Sequence, residues 1–166
     1  MARTRLRFGD PGDGRTGSII FDVEGDANAS NGMRAKLQIT IKSGLNENDL
    51  MAAAVHEGDH AANAQAFIGA ITPSGDVNYG LNLSKYESEM RAYSVEHKVH
   101  NLNNQTRPFD CGQARPCRLG VDAGIPSRQI QDHLSLPPYS VSPSNPGSYM
   151  YSSPVFLPPN ATTPQK

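Results

Sequence analysis

The sequence predicts an α+β fold, in which a small antiparallel sheet packs on one long helix and on a second helix. Three stretches carry this prediction. Residues 36–42 alternate strictly between polar and apolar side chains, which is the pattern of a strand with one buried face. Residues 47–68 repeat small and apolar side chains with helical spacing. A capping-box pattern at Ser84 predicts the start of the second helix.

The N-terminal part of the chain is predicted to form two strands joined as a hairpin. Residues 1–17 contain a cluster of turn formers and are expected to be irregular, whereas residues 18–23 are a short β-type run. Asn, Asp and Gly dominate residues 26–32, which predicts the hairpin loop. In residues 36–42 the side chains expected inside are Leu37, Ile39 and Ile41, and those expected in solvent are Lys36, Gln38, Thr40 and Lys42.

Two histidines lie four residues apart in the first predicted helix, in the His-Glu-Gly-Asp-His sequence of residues 56–60. Residues four apart project from the same side of a helix, so His56 and His60 can bind one ion. Glu57 is offset by one step and can reach a water on that ion without being a ligand. In this HExxH pattern, zinc lowers the pKa of a bound water and the glutamate takes its proton. The competing interpretation is a chance match of three residues.

The first helix also has a recognisable start. Asn46 is the predicted N-cap, with Asn48 as the alternative, and Glu47 and Asp49 place negative charge in the first turn. Gly58 is unfavourable inside a helix, by about 1 kcal/mol relative to alanine. A close neighbour at that turn would explain the glycine.

The second predicted helix begins at Ser84 and runs to about residue 101. Ser84 and Glu87 have the spacing of a capping box, which gives Glu87 a structural role. Glu89 is therefore the predicted third metal ligand, since two histidines, one carboxylate and an open position for water are the usual set of a catalytic zinc. Glu96 and His100 share its side of the helix and are the alternative ligands. A solvated polar helix face is the competing interpretation.

Tyr93 lies one turn beyond Glu89 and is predicted to act in catalysis. Its hydroxyl could orient a ligand histidine or donate a hydrogen bond to the oxyanion. Tyr86, His97 and His100 are comparable candidates, and the sequence does not rank them.

The main domain is assigned to residues 1–135, and residues 136–166 are predicted to be a separate tail or arm. Residues 126–134 have the pattern of a short helix capped by Ser127, in which His133 is expected at the surface. The segment 136–166 is rich in Pro and Ser. It is predicted to be either a disordered tail or an extended arm whose aromatic side chains lie on the domain.

Composition and charge limit the classes of function. The chain of 166 residues has a net charge of −1, which gives no general attraction to nucleic acid or to an anionic membrane. No apolar run has the length of a membrane span, and no signal-peptide pattern follows the basic N-terminal residues. Cys111 and Cys117 either close a small disulfide loop or stay as two thiols, and their spacing is not that of a metal knuckle.

With these residues in place, the chain resembles the zincin metallopeptidases, and among them the gluzincins, which combine HExxH with a glutamate on a later helix. The match consists of residues 56–60 and of residues 89–93, Glu-Met-Arg-Ala-Tyr, which are similar to the ExxA element that brings the third ligand. It extends over roughly residues 36–100, a little under half of the chain. The resemblance implies a zincin-like fold, with zinc on His56, His60 and Glu89 and with Glu57 as general base and acid.

The small size, the absence of a signal peptide and the Pro/Ser-rich end are also similar to toxin or effector metallopeptidase modules of bacterial secreted proteins. This similarity implies secretion or delivery to another cell, with a cytoplasmic location as the alternative, and a cognate inhibitor or immunity protein as a partner. The leading hypothesis is a zinc peptidase acting on protein or peptide substrates. The alternatives are an inactive zincin-like binding module and a zinc hydrolase of a non-peptide amide or ester.

Overall fold

The fold is α+β, as the sequence predicts, with a small three-stranded mixed sheet and three helices among the described residues. The computed structural model describes residues 3–12, 14–102, 108–110, 116–118, 126–152 and 156. These residues make two compact units, one ending at Asn82 and including Phe156, and the other spanning Leu83–Ser152. The elements are β1 (Arg3–Gly9), β2 (Gly17–Gly25), β3 (Met33–Lys42), α1 (Glu47–Gly69), a 3-10 turn (Tyr79–Leu81), α2 (Lys85–Leu102), β4 (Pro108–Asp110), β5 (Pro116–Arg118) and α3 (Pro126–Leu134).

The sheet of the first unit has β3 in its centre, in the order β1-β3-β2. β2 and β3 form the predicted hairpin, and the N–H of Asp26 donates to the carbonyl of Gly32 at 2.8 Å across its loop. Gly32 has a φ of 71°, which favours glycine. β1 pairs with β3 in parallel. The sheet is therefore mixed, and the prediction of an antiparallel sheet is wrong for this strand.

β1 occupies residues that the sequence predicts to be irregular, so that prediction is also wrong. The turn formers are confined to residues 9–14, which follow the strand. Before them, Arg5 and Arg7 alternate with Leu6 and Phe8, which is a strand pattern. Parallel pairing with β3 depends on residues far along the chain. The turn formers that follow β1 predict an irregular segment, and the alternation of four residues is too short to predict a strand by itself.

The core of the first unit lies between β3 and α1. Leu37, Ile39 and Ile41 are buried, as predicted, and α1 packs on β3 and on β2. Thr40 is also buried, contrary to the prediction that it faces solvent. Nε of Arg7 donates a hydrogen bond to Oγ1 of Thr40 at 3.1 Å, so the arginine side chain covers the threonine on the other face of the sheet.

Both ends of α1 are capped by side chains. Asn46 is the N-cap, as predicted, and its Oδ1 accepts a hydrogen bond from the N–H of Asp49 at 3.0 Å. At the other end, Nδ2 of Asn31 donates to the carbonyls of Ile68 and Ile71 at 2.7 and 2.8 Å. Because Asn31 belongs to the β2–β3 loop, the hairpin gives an additional hydrogen-bond donor to one carbonyl of the last helical turn and to one carbonyl just beyond the helix.

The second unit is built around α2 and α3. α2 begins with the predicted capping box, in which the N–H and the hydroxyl of Ser84 donate to Oε2 of Glu87 at 2.8 and 2.7 Å. α3 spans Pro126–Leu134, as predicted, and packs on α2. Because the helix begins at Pro126, Ser127 lies within it, and the prediction that Ser127 is its N-cap is wrong. The core of this unit consists of Tyr93, Ile130, Leu134 and Val141.

The segment after α3 folds onto the start of α2. The N–H groups of Lys85 and Tyr86 donate to the carbonyls of Ser148 and Pro146 at 2.8 and 2.9 Å. These donors belong to the first turn of the helix, where no carbonyl within the helix is available to them. Tyr151 is buried. Residues 157–166 lie outside the described residues, and the predicted division of the chain at residue 135 stays a prediction.

β4 and β5 pair in antiparallel fashion, with Phe109 opposite Cys117. Cys111 and the side chain of Cys117 lie outside the described part of the chain, and so does the choice between a disulfide and two thiols. Among the described helices, none combines the length and the hydropathy that crossing a membrane requires.

Candidate metal centre

His56 and His60 lie on one side of α1 with their rings close together. Their Nε2 atoms are 3.2 Å apart, and their ring centroids are 4.9 Å apart in an edge-to-face arrangement. Both side chains are buried, at 8% and 7% exposed. The spacing of four residues therefore brings two imidazole nitrogens toward the same position, as predicted.

The separation of the two nitrogens fits a shared metal ion. Two nitrogens bound to a tetrahedral ion at about 2.0–2.1 Å are about 3.3 Å apart, which is close to the separation in this chain. A hydrogen bond between the rings fits the same distance, with one Nε2 as donor and the other as acceptor. Metal binding instead requires that both Nε2 atoms lack a proton, with the proton of each ring on Nδ1.

Glu89, the predicted third ligand, belongs to the same group of possible ligands. His56, His60 and Glu89 each offer one ligand atom, and these atoms all lie within 4.8 Å of one another. The group could therefore hold a metal ion. Two imidazoles and one carboxylate suit several divalent transition metals, so the identity of the ion as zinc stays a prediction.

Neither of the two alternative third ligands belongs to this group among the described residues. Glu96 is buried on α2 and is not a member of the ligand group found among the described residues. The side chain of His100 lies outside those residues. Glu89 is thus the ligand candidate that the geometry favours.

Glu57, the predicted general base, lies beside the first residue of β2. Its side chain is buried, at 6% exposed. A β-carbon on Gly17 would lie 2.7 Å from both Cγ and Oε1 of Glu57, a distance that real β-carbons essentially never show. Glycine at residue 17 therefore leaves room for the carboxylate. Gly17 is not among the predicted site residues, because a glycine at the start of a strand gives no local sign of what packs against it.

Gly58 lies between the two histidines in sequence, and open space surrounds the position where its β-carbon would be. No heavy atom of a neighbouring described segment lies within 4 Å of that position. The φ of Gly58 is also not positive. Neither packing by the described residues nor backbone conformation therefore accounts for a glycine here.

The hydroxyl of Tyr93 contacts two side chains of the second unit. It lies 2.7 Å from the hydroxyl of Tyr139 and 3.3 Å from Nε2 of His133. Burial raises the pKa of Tyr93, with the neighbouring Tyr139 as a further cause, so the hydroxyl stays protonated. His133 is half-buried against this ring rather than fully at the surface. The catalytic role of Tyr93 stays a prediction.

A scan against protein-family models, a search of the curated proteins and a search of the solved structures each found no match to this chain. The resemblance to zincins therefore depends on residues 56–60 and 89–93 alone. Membership of that family stays a prediction.

Proposed function

We propose that this chain is a zinc-dependent metallopeptidase. In this proposal His56, His60 and Glu89 hold the ion, and Glu57 acts first as general base and then as general acid. The arrangement of the ligand atoms supports the proposal best. The two Nε2 atoms are 3.2 Å apart, and all three ligand atoms lie within 4.8 Å of one another.

Glu57 carries out the proton transfers of the proposed reaction. The ion would supply Lewis acidity, which lowers the pKa of water and polarises the peptide carbonyl. The carboxylate of Glu57 accepts a proton from the attacking water while the oxygen of that water bonds to the carbonyl carbon. The same proton then goes to the nitrogen as the C–N bond breaks, which leaves a free carboxyl group and an amine.

Gly17 supports the proposed role of Glu57, because close packing restricts where the carboxylate can lie. A catalytic base must lie within hydrogen-bond reach of the proton that it removes, and small displacements lower the rate strongly. The burial of Glu57 also limits the access of bulk water to the carboxylate.

A peptide or protein segment in extended conformation is the proposed substrate. β2 is an edge strand of its sheet, and it begins at Gly17, beside Glu57. An exposed strand edge can hold an extended peptide by main-chain hydrogen bonds, which favours a peptide over a small amide or ester. Delivery of the chain as an effector, with a cognate inhibitor protein, belongs to the same proposal and is supported by the sequence resemblance alone.

Metal content tests the ligand set. The purified chain, reconstituted with zinc and analysed by mass spectrometry, should hold about one ion, and Glu89→Gln should weaken zinc binding at least about tenfold. Glu47→Gln, an exposed carboxylate at the start of α1, is the matched control and should bind zinc normally. If Glu89→Gln still binds zinc normally, the third ligand is Glu96 or His100 instead of Glu89. Absence of bound metal after reconstitution would overturn the proposal.

Activity of Glu57→Gln tests the chemistry. This variant should keep its zinc, and its cleavage rate in a peptide-library digest should fall about 100- to 10,000-fold. If the intact chain binds zinc but cleaves no peptide, while it hydrolyses small amides or esters, the substrate class is wrong. Function that persists unchanged in Glu57→Gln would indicate a binding module rather than an enzyme.

A further inference from the structure

β1 is an edge strand whose side chains are exposed on both faces. Among the described residues, its partner in the sheet is β3 alone, so its other edge carries no strand. Residues 4–8 are all exposed. α1 packs mainly on β3 and β2, and its Gln65 reaches Thr4 of β1 at 3.5 Å. Leu6 and Phe8, further along β1, stay exposed beyond the part of the sheet that the helix covers.

One face of β1 continues the apolar face of β3 into solvent. In the parallel register, Leu6 is opposite Ile39 and Phe8 is opposite Ile41, and residues that are opposite in a ladder point to the same face. Ile39 and Ile41 are buried, whereas Leu6 and Phe8 are 59% and 60% exposed. The sheet therefore presents two large apolar side chains next to an edge without a partner strand.

The other face of β1 carries arginines. Arg5 is opposite Gln38 and Arg7 is opposite Thr40, so no carboxylate of β3 faces either of them. Acidic side chains on this face belong to β2, on the far side of β3, where Asp22 is opposite Lys36 and Glu24 is bonded to Arg34 at 2.6 Å. Both carboxylates therefore have a cation of β3 beside them, nearer than the arginines of β1. The β1 edge is therefore locally basic on one face and apolar on the other.

We propose that the free edge of β1 binds an extended acidic segment of a partner protein, which adds a fourth strand to the sheet. The segment would alternate acidic and apolar residues. Its main chain would pair with β1, its carboxylates would lie beside Arg5 and Arg7, and its apolar side chains would cover Leu6 and Phe8. Such pairing would also cover an edge that is otherwise prone to uncontrolled association.

Charge decides between this occupant and a second copy of the same strand. Two copies of β1 paired with each other would place arginine rows side by side, and like charges on neighbouring strands destabilise the pair. An acidic segment has the opposite effect. The proposed surface is also separate from the candidate metal centre, because the strand beside Glu57 is β2, at the opposite edge of the sheet.

Binding of a labelled peptide tests the proposal. The full chain carrying Glu57→Gln, which prevents cleavage, is titrated into a fluorescent octapeptide of alternating Glu and Val, and anisotropy is recorded. A peptide of alternating Lys and Val and a Glu-Val peptide with alternate main-chain nitrogens methylated are the controls. The acidic peptide should bind at least about tenfold more tightly than either control, and its affinity should fall as salt screens the ion pairs. Equal binding of acidic and basic peptides would overturn the proposal.

Variants of β1 locate the binding. Arg5→Glu combined with Arg7→Glu should weaken the acidic peptide about tenfold or more, whereas Lys98→Glu on α2, also exposed, should not. Phe8→Ser should weaken it several-fold, and Ile20→Ser is the matched control, because Ile20 is 57% exposed on the other edge strand. Circular dichroism checks that each variant is folded. Unchanged binding in the β1 variants, or equal loss in the controls, would contradict the assignment. The measurement requires no turnover, so it stands whether or not the chain is a peptidase.

Discussion

Gly17 lies directly against the side chain of Glu57, since a β-carbon at residue 17 would be 2.7 Å from both Cγ and Oε1. Gly17→Ala should therefore displace the carboxylate, destabilise the chain by about 1–3 kcal/mol through overpacking, and lower the cleavage rate without removing the metal. The φ of Gly17 is not positive, so the backbone itself accepts alanine. In a Glu57→Ala background the same substitution should be nearly neutral. Thermal unfolding of the four proteins measures this coupling, and an equal loss in both backgrounds would show that Glu57 is not the obstacle.

Gly58→Ala should stabilise the chain. Alanine is favoured over glycine inside a helix by about 0.4–1 kcal/mol, and open space surrounds the β-carbon position in the described structure. The melting temperature should rise by about 2–4 °C for 1 kcal/mol in a chain of this size. Gly32→Ala is the opposite control, because its φ of 71° is unfavourable for alanine and the variant should melt at a lower temperature. A decrease in Gly58→Ala would reveal a neighbour beyond the described residues.

Ser84→Ala should destabilise the start of α2 by about 1 kcal/mol, because it removes the hydroxyl that accepts from the N–H of Glu87 at 3.3 Å and donates to Oε2 of Glu87 at 2.7 Å. Ser94→Ala, in the middle of the same helix, is the matched control. The Ser94 hydroxyl bonds only to the Met90 carbonyl among its described contacts, and its loss should change stability by less than about 0.5 kcal/mol. Chemical denaturation gives both values. Equal effects in the two variants would contradict the capping role.

Tyr93→Phe and Tyr139→Phe should each destabilise the chain by about 0.5–1.5 kcal/mol, because each removes the hydroxyl contact of 2.7 Å. Tyr93→Phe should lose somewhat more, because it also removes the contact with His133 at 3.3 Å. The double variant should lose less than the sum of the two. Activity separates the structural role from the predicted catalytic role: a catalytic hydroxyl requires that Tyr93→Phe lowers kcat while Tyr139→Phe does not. If both variants retain kcat, Tyr93 acts in the structure alone.

Asp76 should titrate below the ordinary carboxyl value. The hydroxyls of Ser74 and then Thr72 donate to its carboxylate and lower its pKa from 3.8. A pKa that is lower in the folded chain than in the unfolded chain stabilises the fold above the unfolded value. This stabilisation is lost as pH falls through the folded value. NMR titration of the carboxyl carbon measures the pKa, and Ser74→Ala should move it back toward 3.8. An unchanged value in that variant would contradict the stated cause.

The helices could be predicted from the sequence because their signals are local. The sequence predicts α1 over residues 47–68 with Asn46 as N-cap, and the helix spans Glu47–Gly69 with that N-cap. The sequence also predicts the span of α3, Pro126–Leu134, although not its N-cap. Capping and helical periodicity depend on residues within one or two turns, which a single sequence displays directly.

The sheet was predicted only in part because strand pairing is not local. The β2–β3 hairpin joins neighbouring segments through a loop with clear turn residues, and it was predicted. β1 pairs with β3 across a long stretch of chain, as the contact between Arg7 and Thr40, 33 residues apart, illustrates. No pattern within β1 specifies that partner or its parallel direction.

The sequence by itself determined the pairing of His56 with His60, because a spacing of four residues in a helix places both side chains on one side whatever surrounds them. It likewise determined the capping box at Ser84. Only the tertiary structure decided that Gly17 packs on Glu57 and that the hydroxyl of Tyr93 meets Tyr139. Those contacts join segments that are distant in the chain, so they depend on how whole elements pack rather than on any local pattern of residues.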